Sequence, residues 1–138
     1  MRHEQTSGGN DAAALGERND CTVLSFEAAV GIPYLESHAI LKGAGRKDKH
    51  GIRFKTVLLC HLTGFVWGGR YMLDRRNDTD TTLRAFVEAH QEGRYIVLTD
   101  GHALALVDGV IHDNHTKPRL KARVKSAWKL CDITPVAA

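Results

Sequence analysis

Cys21 is the first residue whose type and position could do chemistry. The chain has three cysteines, which are Cys21, Cys60 and Cys131. Because the number is odd, at least one thiol stays outside any disulfide. Asn19 or Asp20 can cap a helix over the apolar residues 22–30, which Gly31 would end. The thiol of Cys21 then lies at a helix N-terminus, where the helix dipole favours the reactive thiolate.

This position makes Cys21 a candidate nucleophile. The alternative is a small buried apolar residue, which is the commoner role of a cysteine. Cys60 lies within the apolar face of a predicted helix and Cys131 lies near the C-terminus. Both are predicted to be structural.

A nucleophilic cysteine needs a histidine that takes its proton and a third group that orients the histidine. Asp108-Gly109 predicts a two-residue hairpin turn between two apolar strands. In that register His102 and Asp113 are diagonal neighbours on one side of the sheet, roughly 7–8 Å apart at the backbone. Asn114 points the other way, so Asp113 is the predicted acceptor. The alternative is a half-exposed His102 at the start of a strand.

The periodicity of the chain predicts the elements that position these residues. Helices are predicted over about 22–30, 32–41, 54–63 and 81–92, and strands over 95–98, 102–107, 110–114 and 119–125. The last strand is inferred from alternating basic residues, and residues 75–78 are interpreted as a solvated loop. Helices followed by antiparallel strands indicate an α+β fold. Residues 1–16 are predicted to form a flexible arm and residues 17–138 a single domain.

The composition is that of an ordinary globular chain. Hydrophobic residues make up 43% and charged residues 25%, with three prolines, which excludes collagen-like, coiled-coil and wholly disordered classes. No stretch approaches the roughly 18 apolar residues that span a bilayer. The N-terminus lacks the apolar segment of a signal peptide. We therefore expect a cytoplasmic protein without a membrane partner.

Two segments together resemble the papain-like cysteine peptidase superfamily, most of all its small bacterial and phage-encoded members. They are Asn19-Asp20-Cys21 at the start of an apolar helix and GHALALVDGVIHD over residues 101–113, about eighty residues later. The resemblance covers residues 18–129 and implies N-terminal helices packed on a C-terminal antiparallel sheet. It also implies that Cys21 is the nucleophile, His102 the general base and then acid, and Asp113 the group that fixes the imidazole tautomer.

The chain departs from papain at the oxyanion hole. Papain has a glutamine six residues before its cysteine, where this chain has Leu15, and Cys21 is not directly followed by a tryptophan. The oxyanion donors are therefore expected to be the backbone N–H of Cys21 and the side chain of Asn19. For Asn19 the alternative is a plain helix cap. The implied activity is a cysteine-dependent hydrolase, a peptidase or amidase that cleaves a peptide or isopeptide bond in a protein or peptide substrate without a cofactor.

A metal site is an alternative use of the histidines. His112 and His115 lie three residues apart and could combine with His102 and Cys21, since His and Cys are zinc ligands. In the strand interpretation, however, His112 and His115 face opposite sides, and the chain has no paired CxxC or HExxH motif. We therefore expect no metal.

A binding module without chemistry is a further alternative. Residues 117–129 contain six basic and no acidic side chains, namely Lys117, Arg119, Lys121, Arg123, Lys125 and Lys129. On a catalytically silent papain-like scaffold such a basic strand could meet an acidic protein or nucleic acid. The alternative is a lysine-protected edge strand. A net charge of only +3 argues against a nucleic-acid partner.

Overall fold

A computed structural model describes residues 2–7, 9, 21–43, 71–77, 81–114 and 117–132. Within these ranges the helices are α1 (Cys21–Val30), α2 (Tyr34–Gly43) and α3 (Leu83–Ala89). The strands are β1 (His3–Gln5), β2 (Tyr71–Asn77), β3 (Thr81–Thr82), β4 (Arg94–Thr99), β5 (His102–Val107), β6 (Val110–Asp113), β7 (Arg123–Val124) and β8 (Ser126–Asp132). Over the same ranges, no helix is long and apolar enough to cross a bilayer.

Local signals set the ends of the helices. Gly31 ends α1 with a φ of 78°, and its N–H donates to the Glu27 carbonyl at 2.9 Å. Thr82 caps α3, since its hydroxyl accepts the Ala85 N–H at 3.2 Å. The helices predicted over 22–30, 32–41 and 81–92 are therefore confirmed, with ends that differ by at most three residues. The helix predicted over 54–63 lies outside the described residues.

The main sheet has six strands in the order β1-β6-β5-β4-β8-β2. Only the β1–β6 pair is parallel among these strands, and the other neighbours are antiparallel. A separate two-stranded sheet joins β3 to β7. The described part of the chain is thus α+β, as predicted.

Both faces of the sheet are covered by helices. On one face α1 packs on the sheet at Ile96, Ala105 and Trp128, with α2 packed against α1, and on the other face α3 packs on Val97 and Leu104. Because successive residues of a strand point to opposite faces, a strand buried on both sides has a continuous apolar run. This explains the uninterrupted apolar segments of β4 and β5.

The predicted strand over 119–125 is wrong. Only Arg123 and Val124 are in a strand, and a turn precedes them. The turn is held to the start of α3, where the Leu83 N–H donates to the Ala122 carbonyl at 2.8 Å. The alternation of basic and other residues over 119–125 is therefore not the pattern of a strand with one solvated face.

Three further segments differ from the predictions. Residues 75–77, interpreted as part of a loop, belong to β2, and β8 over residues 126–132 was not predicted. These two strands pair along their length, so each satisfies the backbone of the other. Residues 3–5 of the predicted arm form β1 at the edge of the sheet, while most of residues 8–20 lies outside the described ranges.

Candidate active site

The hairpin between β5 and β6 has the predicted register. Val107 pairs with Val110, and the two turn residues have positive φ, 48° at Asp108 and 81° at Gly109. A two-residue turn with positive φ at both residues matches the twist of the flanking strands, and Asp-Gly adopts this conformation at low cost. The prediction of a two-residue turn is confirmed. His102 at the start of β5 and Asp113 at the end of β6 therefore lie at the same end of the sheet.

His102 and Asp113 come together at this end. Nε2 of His102 lies 3.7 Å from Oδ1 of Asp113, with the two side chains 17% and 1% exposed. This is an ion-pair distance, longer than an ordinary hydrogen bond. The backbone of Asp113 is also held by β1, because the Thr6 N–H donates to its carbonyl at 2.6 Å. The carboxylate is thus buried on a strand that is paired on both sides.

Cys21 is the first residue of α1 and is half-buried, with a reduced thiol. The helix packs on β5, so its N-terminus reaches the end of the sheet where β5 begins. There the Cys21 thiol lies close enough to the His102 imidazole to raise its pKa. One imidazole ring therefore lies between a thiol and a carboxylate.

The environment raises the pKa of His102 from 6.5 to about 9. The largest cause is the neighbouring Asp113 carboxylate, followed by the Cys21 thiol, while burial acts in the opposite direction. The imidazole is consequently protonated at neutral pH. A cation beside a thiol, together with a helix N-terminus, favours the thiolate form of Cys21.

Of the two expected oxyanion donors, the Cys21 N–H and the Asn19 side chain, the structure describes only the first. Asn19 lies outside the described residues. The backbone N–H of Cys21 belongs to the first turn of α1, where N–H groups have no acceptor within the helix. This donor is therefore oriented along the helix axis at the nucleophile itself.

A cleft of about 430 Å³ opens beside His102 and Asp113. Its other lining residues are Leu83, Thr99, Asp100, Leu104, Arg119, Ala122, Arg123 and Lys125. Sequence reasoning noted these basic residues but assigned them to a strand, so their place at the site was missed. The absence of acidic residues from 117–129 was the signal that could have found them.

His112 has a different environment from His102. It pairs with Ala105 across the hairpin, so its side chain lies on the face of the sheet opposite to that of His102. Its Nδ1 lies 3.4 Å from Oε2 of Glu4, and burial is the main cause that lowers its pKa. His115 lies outside the described residues. Across the described ranges, no group of three or more His, Cys, Asp or Glu side chains could hold a metal ion.

The chain was compared with known protein families, curated proteins and solved structures, and none of them matched. A function must therefore be argued from the residues of the site.

Proposed function

We propose that this protein is a papain-like cysteine-dependent hydrolase, a peptidase or amidase that cleaves a peptide or isopeptide bond. The observation that carries the proposal is the His102 imidazole, which interacts with both the Cys21 thiol and the buried Asp113 carboxylate. Nucleophile, base and orienting group in this order are the requirements of thiol-dependent acyl transfer.

The first half of the reaction uses the ion pair of Cys21 and His102. The thiolate attacks the carbonyl carbon, a C–S bond forms, and the carbonyl oxygen becomes an oxyanion that accepts the Cys21 N–H. The imidazolium of His102 then donates its proton to the leaving nitrogen as the C–N bond breaks. The products are an amine and a thioester on Cys21.

The second half of the reaction regenerates the enzyme. Neutral His102 takes a proton from water, and the hydroxide formed attacks the thioester carbonyl. The C–S bond breaks, the acid leaves, and the thiolate is again paired with the imidazolium. Asp113 keeps the imidazole oriented in both halves and stabilises its cationic form.

The proposal is tested with iodoacetamide and mass spectrometry at pH 7. Cys21 should be alkylated at least about tenfold faster than glutathione, because its thiolate is stabilised by His102. His102→Gln should remove most of this excess. His112→Gln is the matched control, since it removes a histidine of the same hairpin on the opposite face, and it should react like the unmodified protein.

Catalysis is tested separately from thiol reactivity. An activated ester such as p-nitrophenyl acetate should release a burst of one p-nitrophenolate per protein as the Cys21 thioester accumulates. Cys21→Ala should abolish the burst. If Cys21 reacts no faster than glutathione, or if the burst persists in Cys21→Ala, the proposal is wrong and the catalytically silent binding module is favoured instead.

A further inference from the structure

We propose that the substrate is an acidic peptide, and that Arg119, Arg123 and Lys125 bind its carboxylates in the cleft beside His102. This inference rests on the proposed function, because it concerns the group that lies next to His102 when the bond is attacked. The observation that carries it is the set of basic residues that lines the same cleft as His102 and Asp113.

The three basic side chains come from one short segment and are all exposed. A substrate that reaches His102 through this cleft must pass along them. Carboxylates are the groups in peptides that guanidinium and ammonium groups bind, and guanidinium groups can do so with two parallel hydrogen bonds. An acidic side chain of the substrate is therefore complementary in charge to these three basic side chains.

The segment that carries the cations is held by the fold. The N–H of Arg84 donates to the Leu120 carbonyl at 3.0 Å, and the N–H of Lys125 donates to the Leu98 carbonyl at 2.8 Å. Arg123 itself pairs with Thr82 between β7 and β3. Because the backbone is fixed at several points, less conformational entropy is lost when a ligand binds.

The cationic surface extends beyond the first cleft. A second cleft of about 550 Å³ shares Arg119 and Ala122 with the first and adds Arg84 and Lys121. Of the described residues that line either cleft, only Asp100 and Asp113 are acidic, and Asp113 is paired with His102. The surface thus fits several successive acidic residues better than one isolated carboxylate.

The lining favours a peptide over a nucleic acid. Proteins that bind single strands stack bases on aromatic side chains. Among the described residues, neither cleft is lined by Phe, Tyr or Trp. The described lining therefore lacks the stacking platform that a nucleic acid would use.

The test uses two peptides of equal length that carry a vinyl sulfone to trap Cys21, one with Glu and one with Gln around the reactive group. The Glu probe should label Cys21 about tenfold faster at low salt, and the difference should shrink at about 0.3 M NaCl because exposed charges are screened. The double variant Arg119→Glu/Lys125→Glu should lose the preference for Glu and label faster with a Lys probe. Lys42→Glu reverses one charge at an exposed residue of α2, a helix in the buried cluster on the other face of the sheet, and should leave the preference unchanged.

The outcomes separate this inference from the proposed function. Equal labelling by the Glu and Gln probes, or a preference that survives in the double variant, overturns the acidic substrate while Cys21 remains reactive to iodoacetamide. If the thiol proves unreactive, anisotropy with Cys21→Ala still tests binding of a fluorescent Glu peptide. Binding that the double variant loses supports the inference, and tighter binding of an oligothymidylate of equal charge overturns it in favour of nucleic acid.

Discussion

Replacing Asp113 with asparagine tests the electrostatic core of the site. The side chain keeps its size and an oxygen that can accept a hydrogen bond, but it loses the negative charge that faces Nε2 of His102. Because the Asp113 carboxylate is the largest cause of the raised His102 pKa, Asp113→Asn should lower that pKa. The effect should appear at His102 and, through it, at Cys21.

The magnitude follows from the size of the shift. A rise of the His102 pKa from 6.5 to about 9 corresponds to roughly 3 kcal/mol, at about 1.4 kcal/mol per unit. An opposite charge within ion-pair distance changes a pKa by about 1–3 units. We therefore expect Asp113→Asn to lower the pKa of His102 by roughly 1–2 units. The ion pair with Cys21 should then form a smaller fraction of the protein at neutral pH, and alkylation of Cys21 at pH 7 should slow.

The pKa is measured directly by titrating the ring nitrogens with ¹⁵N NMR between pH 5 and pH 10. The same spectra report which nitrogen of His102 is protonated in the neutral form, and thermal unfolding checks that the variant is folded. Asp100→Asn is the matched control. Asp100 lines the same cleft but is not a cause of the His102 shift, so its loss should leave the titration nearly unchanged.

Two results would refute this reasoning. In the first, His102 of the unmodified protein titrates near 6.5, which would mean that neither Asp113 nor Cys21 stabilises the imidazolium. In the second, Asp113→Asn and the unmodified protein titrate within about 0.3 unit of each other, far below the change expected from a nearby charge.

Two further predictions concern stability. In Cys21→Ala, where no thiol can release a compensating proton, the free energy of unfolding should fall as the pH rises above about 6.5, because folded His102 beside Asp113 keeps a proton that unfolded His102 releases near 6.5. Urea denaturation at several pH values checks this, and a decline of equal size in Cys21→Ala/His102→Gln would contradict it. Thr82→Ala should destabilise the protein by about 1 kcal/mol by removing the cap of α3, whereas Thr82→Ser should retain most of the stability. Equal urea midpoints for the two variants would show that the cap contributes little.

The sequence alone determined the parts of the site that depend on near neighbours. Asp108-Gly109 favours the positive φ values of a tight turn, so the turn and the alternation of the strands brought His102 and Asp113 to one side. Gly31 likewise ended α1 where expected, because its left-handed conformation is costly for other residues.

Only the tertiary structure decided which distant segments meet. Contact between Cys21 and His102 depends on how α1 packs across β5, and the sequence predicted it only through a resemblance to a known family. Charge alternation over 119–125 predicted a strand, but hydrogen bonds to α3 made the segment a turn that lines the cleft. Local conformation is set by the few residues around it, whereas packing is set by apolar surfaces far apart in the chain that must be buried together.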